Sequence, residues 1–168
     1  MPDGSLSEVR LIPKDGAVSL LRNDPKSRGP RLFAQHCASC HTYDDGSSLA
    51  SVQGESQAKS TAPNLFGFAS RGWLKSLISV NGWSGPNYFG NTAHKAGRMA
   101  TWLQQHSETL QPADIEAIAA ALSAQAQLKS QSAADKNDVD LISRGLGLIE
   151  QNCARGCHRF GDLSLIHI

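Results

Sequence analysis

Cys37 and Cys40 are separated by two residues, and His41 follows the second cysteine directly. Two thiols at this spacing can add across the vinyl groups of a porphyrin, and the adjacent imidazole can then reach the iron from one side. At the end of a helix, the spacing turns both sulfurs toward one edge of a flat macrocycle. Other chemistries use the same cysteine pair. A structural zinc site needs a second pair at ribbon or finger spacing, and the remaining cysteines, Cys153 and Cys157, lie far downstream. A thiol redox pair expects a βαβ surround, which the sequence does not show. Two buried structural cysteines would leave His41 unexplained. The unit Cys37-Ala38-Ser39-Cys40-His41 therefore points to c-type haem, with zinc and thiol redox as competing readings.

A second copy strengthens the haem reading. The chain contains Cys153-Ala154-Arg155-Gly156-Cys157-His158. Glycine, an apolar pair and the first cysteine fall at matching offsets in Gly29-Pro30-Arg31-Leu32-Phe33-Ala34-Gln35-His36-Cys37 and in Gly145-Leu146-Gly147-Leu148-Ile149-Glu150-Gln151-Asn152-Cys153. An aromatic residue follows each histidine by two, Tyr43 and Phe160. This is an internal repeat. The second copy has one residue more between its cysteines, which a local bulge must absorb.

Composition agrees. The net charge is +1, so bulk charge implies neither nucleic acid nor a membrane surface as partner. Aromatic residues make up only 6%, as expected where a porphyrin supplies part of the apolar core. All four cysteines belong to the two motifs, leaving none for structural disulfides. No apolar run approaches the roughly 18 residues of a membrane-crossing helix, and no secretory apolar region follows Met1. Haem attachment of this kind takes place outside the bacterial cytoplasm, so the reading places further sequence upstream of Met1.

The elements that must position these residues read as helices. Residues 1–28 are rich in Pro, Gly, Asp and Ser and are expected as an extended leader, with a short helical turn at 17–21 as an even alternative. A helix is predicted from about Pro30, as a first-turn proline, into the first motif. A polar surface loop follows over 44–61. Ser70 is a candidate N-cap for a helix to Val80 with Trp73, Leu74, Leu77 and Ile78 on one stripe, ended by Asn81-Gly82. A loop carrying Met99 precedes the next helix, near Pro112, with Ile115, Ile118, Ala119, Leu122 and Ala126 on one face. Residues 129–137 read as a linker, and a last helix starts near Asp138 and carries Leu141, Ile142, Leu148 and Ile149 into the second motif. Apart from Met1, Met99 is the only methionine. It sits beside Gly97 and Arg98 and outside an apolar stripe, so a thioether ligand to iron is favoured over core filling. His/Met ligation raises the reduction potential and favours electron transfer over oxygen chemistry. His94 is the competing ligand, while His36 and His106 are read onto solvated helix faces.

With these features the chain resembles the class I cytochrome c family. The resemblance covers about 29–128 and rests on Cys37, Cys40, His41, Pro63, the helix from Ser70, Met99 and the helix from Pro112. It implies an all-α cytochrome c fold with His41 and Met99 as iron ligands. It also implies that the carbonyl of Pro63 accepts the other ring proton of His41. More closely, Leu20-Leu21-Arg22-Asn23-Asp24-Pro25, Gly29-Pro30-Arg31-Leu32-Phe33 and Tyr88-Phe89-Gly90-Asn91-Thr92 are similar to dihaem cytochrome c segments fused to, or partnering, cytochrome-b-type membrane subunits of bc complexes.

The organisation expected is a leader at 1–28, one complete cytochrome c domain at 29–128, a linker at 129–137, and at 138–168 the truncated start of a second cytochrome c-like domain. In that reading His158 would ligate a second haem held by Cys153 and Cys157, on a motif helix without a pocket of its own. Ser164-Leu165-Ile166-His167-Ile168 reads as adaptor sequence. The function expected is one-electron transfer by haem c, next to a quinol-oxidising bc-type respiratory complex on the periplasmic face of a bacterial inner membrane. The chain would be tethered there through missing upstream sequence or a partner subunit. No nucleic-acid partner is expected, and no membrane span within the chain. A dihaem peroxidase-like enzyme with one open iron is the alternative, and a zinc-stabilised interaction module is a further one.

Overall fold

The computed structural model describes residues 14, 16–45 and 61–158. Most of the expected polar loop, the tail at 164–168, Phe160 and His167 lie outside these residues. Among the described residues the protein is all-helical, without a strand.

The chain enters as α1 (Ala17–Asn23) and α2 (Pro25–His36). Asp24 caps α2, its carboxylate accepting the Ser27 N–H at 2.8 Å, and Pro25 takes the first helical position, where its missing donor costs nothing. The helix thus begins earlier than the sequence reading places it. Residues expected as an extended leader are helical, and Pro30 lies inside α2 rather than in its first turn. Asp24-Pro25 is the stronger start signal because it satisfies an orphan N–H and places a proline where none is needed.

In α3 (Arg71–Leu77), the Ser70 hydroxyl accepts the Trp73 N–H at 3.2 Å, so the expected cap is in place. The helix stops before Asn81-Gly82. Ser79 caps a fresh turn, α4 (Val80–Trp83), by accepting the Gly82 N–H at 3.0 Å. A Cβ at Gly82 would sit 1.8 Å from the Ser76 carbonyl oxygen, so only glycine fits this reversal.

A 3₁₀ turn (Ala93–Ala96) leads into α5 (Arg98–His106), a helix the sequence reading leaves as loop. Met99 therefore lies in a first helical turn. Only Ala100 and Leu103 of α5 are buried, which is too short a stripe for periodicity to reveal. α6 (Pro112–Gln125) buries Ala117 through Ala121 and Ser123. This burial is wider than a single stripe, and the expected face residue Ala126 is exposed. The reason is tertiary: α3 packs on α6, and α8 (Val139–Ile149) packs on it more extensively still. A run of alanines lets both neighbours approach closely.

The α6–α8 crossing is tight. A Cβ at Gly145 would meet the Ala117 carbonyl oxygen at 2.0 Å, and backbone cannot swing aside. Gly145→Ala is expected to cost about 1–3 kcal/mol through overpacking, measured as a shift of the urea midpoint at constant slope.

The stretch read as a linker is also helical. A 3₁₀ turn (Lys129–Gln131) runs into α7 (Ser132–Asn137). The Arg71 guanidinium, 14% exposed, forks onto Asp135 at 2.8 Å and Asp138 at 2.5 Å, and Gln131 Oε1 accepts the Arg71 N–H at 3.0 Å. The two carboxylates hold the Arg71 guanidinium above its ordinary value, with the Asp138 hydrogen bond the main cause, against the lowering effect of burial. This fork fastens the start of α8 to α3. Arg71→Ala leaves two partly buried carboxylates without their partner, with an expected cost of about 2–4 kcal/mol. Arg71→Lys should recover less than half of that in the same denaturation assay, because an ammonium cannot engage both carboxylates in a planar fork.

One core cluster unites Ile78, Trp83, Ala100, Leu103, Ile118, Ala121 and Ile149. Met99, Leu146, Leu148 and Cys153 pack against it, half-buried. Ile149, 1% exposed, contributes about 1.5–3 kcal/mol by burial. It anchors the helix that delivers the second motif.

Candidate haem site

Residues 37–41 leave α2 through a compact turn. The Phe33 carbonyl accepts the N–H groups of both Cys37 and Ala38, at 2.8 and 2.9 Å. The Cys37 carbonyl accepts those of Cys40 and His41, at 3.1 and 2.9 Å. Every amide of the turn but one is thereby committed to the segment just behind it, which holds the two thiols and the imidazole in a fixed order along the chain. Cys37 and His41 are half-buried and Cys40 is exposed.

The Pro63 segment is clamped against this turn from both sides. Ala62 N–H donates to the Cys40 carbonyl at 3.1 Å, and Leu65 N–H donates to the Thr42 carbonyl at 2.9 Å. Pro63 lies between the two bonds. Its carbonyl stands 2.7 Å from His41 Nδ1. A carbonyl can only accept, so Nδ1 carries a proton, and in the neutral ring Nε2 is the nitrogen with the free lone pair. Fixing the tautomer in this way prepares an imidazole for metal ligation.

Asn64, which the sequence reading did not single out, secures the arrangement. It is 7% exposed. Its Oδ1 accepts the Asp44 and Phe66 N–H groups at 3.1 and 3.0 Å, and its Nδ2 donates to the Asp44 carbonyl at 2.7 Å. Trp73 Nε1 donates to the Asn64 carbonyl at 2.9 Å, and Tyr88 Oη donates to the Trp73 carbonyl at 3.0 Å. The loop is thus tied to α3 and to the turn at 84–92. Its one sequence signal was the polar residue directly after Pro63. Phe33, Tyr43 and Phe66 form an edge-to-face series beside the turn, with centroids 5.8 and 5.3 Å apart.

The second motif has a comparable turn. A π-helical turn (Glu150–Ala154) continues α8, and the Cys153 carbonyl accepts the His158 N–H at 3.0 Å. Cys153 and His158 are half-buried and Cys157 is exposed. Burial pushes the Cys153 thiol up, and the neighbouring Cys157 adds to the effect. The helix that carries this motif, α8, is seated on α6 and the core. Arg98 Nη2 lies 3.9 Å from Cys157 Sγ.

The sequence-predicted residues therefore fall into two groups. Cys37, Cys40, His41 and Pro63 are brought together. Met99, in the first turn of α5, packs half-buried on the core cluster against which Cys153 also packs. His94, the competing ligand, is exposed, with Phe89 edge-on to its ring at 6.1 Å. His36 is exposed, whereas His106 is half-buried and stacked on Trp102 at 4.4 Å. None of the four cysteines forms a disulfide. Among the described residues no three His, Cys, Asp or Glu side chains gather as a metal site, so a zinc module finds no ligand cluster there.

This donor set suits an iron porphyrin held through thioethers and one histidine, within an all-helical protein. A family model for cytochrome c matches residues 27–125, and the chain belongs to the cytochrome c family. Membership carries covalently bound c-type haem and haem-based electron transfer. Comparisons with curated proteins and with solved structures return no match.

Proposed function

We propose that Cys37 and Cys40 bind the porphyrin of a c-type haem, with His41 Nε2 as iron ligand and Met99 as a thioether ligand to iron, for one-electron transfer beside a bc-type respiratory complex. The observation that carries the reading is the 2.7 Å bond between His41 Nδ1 and the Pro63 carbonyl. That bond makes the imidazole a stronger donor at Nε2 and holds its orientation, so little reorganises when one electron arrives or leaves. The haem supplies the electron-carrying iron. The protein contributes ligands and the aromatic residues around the turn.

The bc-complex setting rests on the likeness of the segments at 20–25, 29–33 and 88–92. It is also supported by α1, where Val18, Leu20 and Leu21 are 56%, 44% and 66% exposed, an apolar face suited to a partner subunit. No described helix is long and apolar enough to cross a membrane. In this setting the chain works on the periplasmic side of a bacterial inner membrane, next to a cytochrome-b-type subunit.

The test is stopped-flow reduction of the haem-loaded chain by quinol-treated bacterial membranes. Reduction that is fast and sensitive to an inhibitor of quinol oxidation supports the reading. Reduction no faster than by quinol in free solution would sink the bc setting. Peroxide turnover by the same preparation would favour the peroxidase-like alternative.

A further inference from the structure

The second motif repeats more than its thiols and its histidine. In each copy a glycine stands eight residues before the first cysteine, Gly29 and Gly145, and an apolar residue stands four before it, Phe33 and Ile149. In α8 the structure uses both positions to dock the helix. The missing Cβ of Gly145 admits the Ala117 carbonyl, and Ile149 is buried in the core cluster. The positions shared with the first motif are therefore the ones that seat the second motif on α6.

This seat fixes the register of α8, and with it the point at which the chain leaves the helix toward Cys153. Arg71, through Asp135 and Asp138, holds the other end of the helix. Asn152 Nδ2 donates to the Leu148 carbonyl at 2.9 Å, which pins the residue directly before Cys153 to the helix end. The motif thus starts from a rigid support, as the first does from its clamped loop.

The additional residue in this motif is accommodated without loss of the turn. In the first motif the histidine N–H bonds the carbonyl of the first cysteine four residues back, at 2.9 Å. In the second motif the His158 N–H bonds the Cys153 carbonyl five residues back, at 3.0 Å. The same cysteine-to-histidine closure is made in a ring one residue longer, after a π-helical turn that already runs at the wider i to i+5 spacing. The exposure pattern repeats as well: in both motifs the first cysteine and the histidine are half-buried and the second cysteine is exposed. Neither Cys153 nor Cys157 is taken up in a disulfide. In haem attachment the thiols bond carbon and only the histidine reaches the iron, so the three side chains need a common porphyrin edge and not a common point.

We infer that Cys153, Cys157 and His158 form a second c-type haem site, with both thiols bonded to one porphyrin and His158 as a ligand to its iron. Attachment balances without a further reagent: each thiol adds its sulfur to one carbon of a vinyl group and its hydrogen to the other, and nothing leaves. The inference rests on the haem reading above and adds a second one-electron carrier to the chain. It leaves the ligands of the first haem as proposed.

The test uses the full chain matured in a bacterium with haem-attachment machinery, at natural sequence and as C153A/C157A. Haem per chain is read by intact mass and pyridine haemochrome. Two haems are expected in the natural chain and one in C153A/C157A. Trypsin then locates the second haem, because Arg155 lies between the two cysteines and cleavage there puts them on separate fragments, 145–155 and 156–159. With both thiols on one porphyrin, these fragments stay joined after disulfide reduction and carry haem absorbance. A natural chain with a single haem, on the segment with Cys37 and Cys40, and with the two fragments separate after reduction would overturn the inference, and that result needs no variant to fold. Two haems in C153A/C157A would overturn it as well. A natural chain that takes up no haem at all would instead remove the reading on which the inference rests.

Discussion

Met99→Ala is expected to lower the reduction potential of the haem it serves by on the order of 0.1–0.3 V, a fraction of the roughly 0.8 V range that axial ligands control. A thioether stabilises ferrous iron relative to ferric, and its removal leaves water or no ligand in its place. The far-red charge-transfer band should disappear with it. Spectroelectrochemical titration measures both quantities on one sample. Met99→His should restore a six-coordinate iron without restoring the potential, because imidazole favours the ferric state. Met99 lies in the first turn of α5 and is only half-buried, so its loss should cost the fold far less than it costs the potential. A variant with unchanged potential and an intact band would show that Met99 is packing alone.

His41→Ala carries the other large effect. It removes the proposed proximal ligand and also the hydrogen bond to Pro63 that ties the turn to its loop. That bond alone is worth about 0.5–1.5 kcal/mol, and the iron bond adds to it. The haem on Cys37 and Cys40 should lose its normal low-spin spectrum and its reversible one-electron couple in voltammetry. Pro63→Ala is the informative contrast. It keeps the carbonyl that accepts from His41, so the couple should persist with at most a small shift. If Pro63→Ala were as damaging as His41→Ala, the carbonyl would not be what matters at that position.

The two variants divide along the line that separates local from tertiary information. Cys37, Cys40 and His41 are contiguous, so their chemistry could be read without knowing where the chain goes next. The helix caps belong to the same class. Ser70 and Asp24 act within three residues of themselves, although at α2 the competing signal of Pro30 drew the reading to the wrong proline. α5 was not legible because only two of its residues are buried, and no periodicity emerges from two positions. The helix over 132–137 was hidden by polar composition, and its place depends on Arg71, distant in the chain.

By itself, then, the sequence determined the haem chemistry, the helical class and the repeat, because each is carried by residue types at short, regular spacing. Only the tertiary structure decided which groups meet. It put Asn64 at the centre of the loop that orients His41, and it set α8 on α6 through Gly145. It also packed Met99 and Cys153, distant in the chain, against one core cluster. Those choices depend on close approach of backbones and on a shared apolar core. Both are sums over residues distant in the chain, and spacing along a sequence does not contain them.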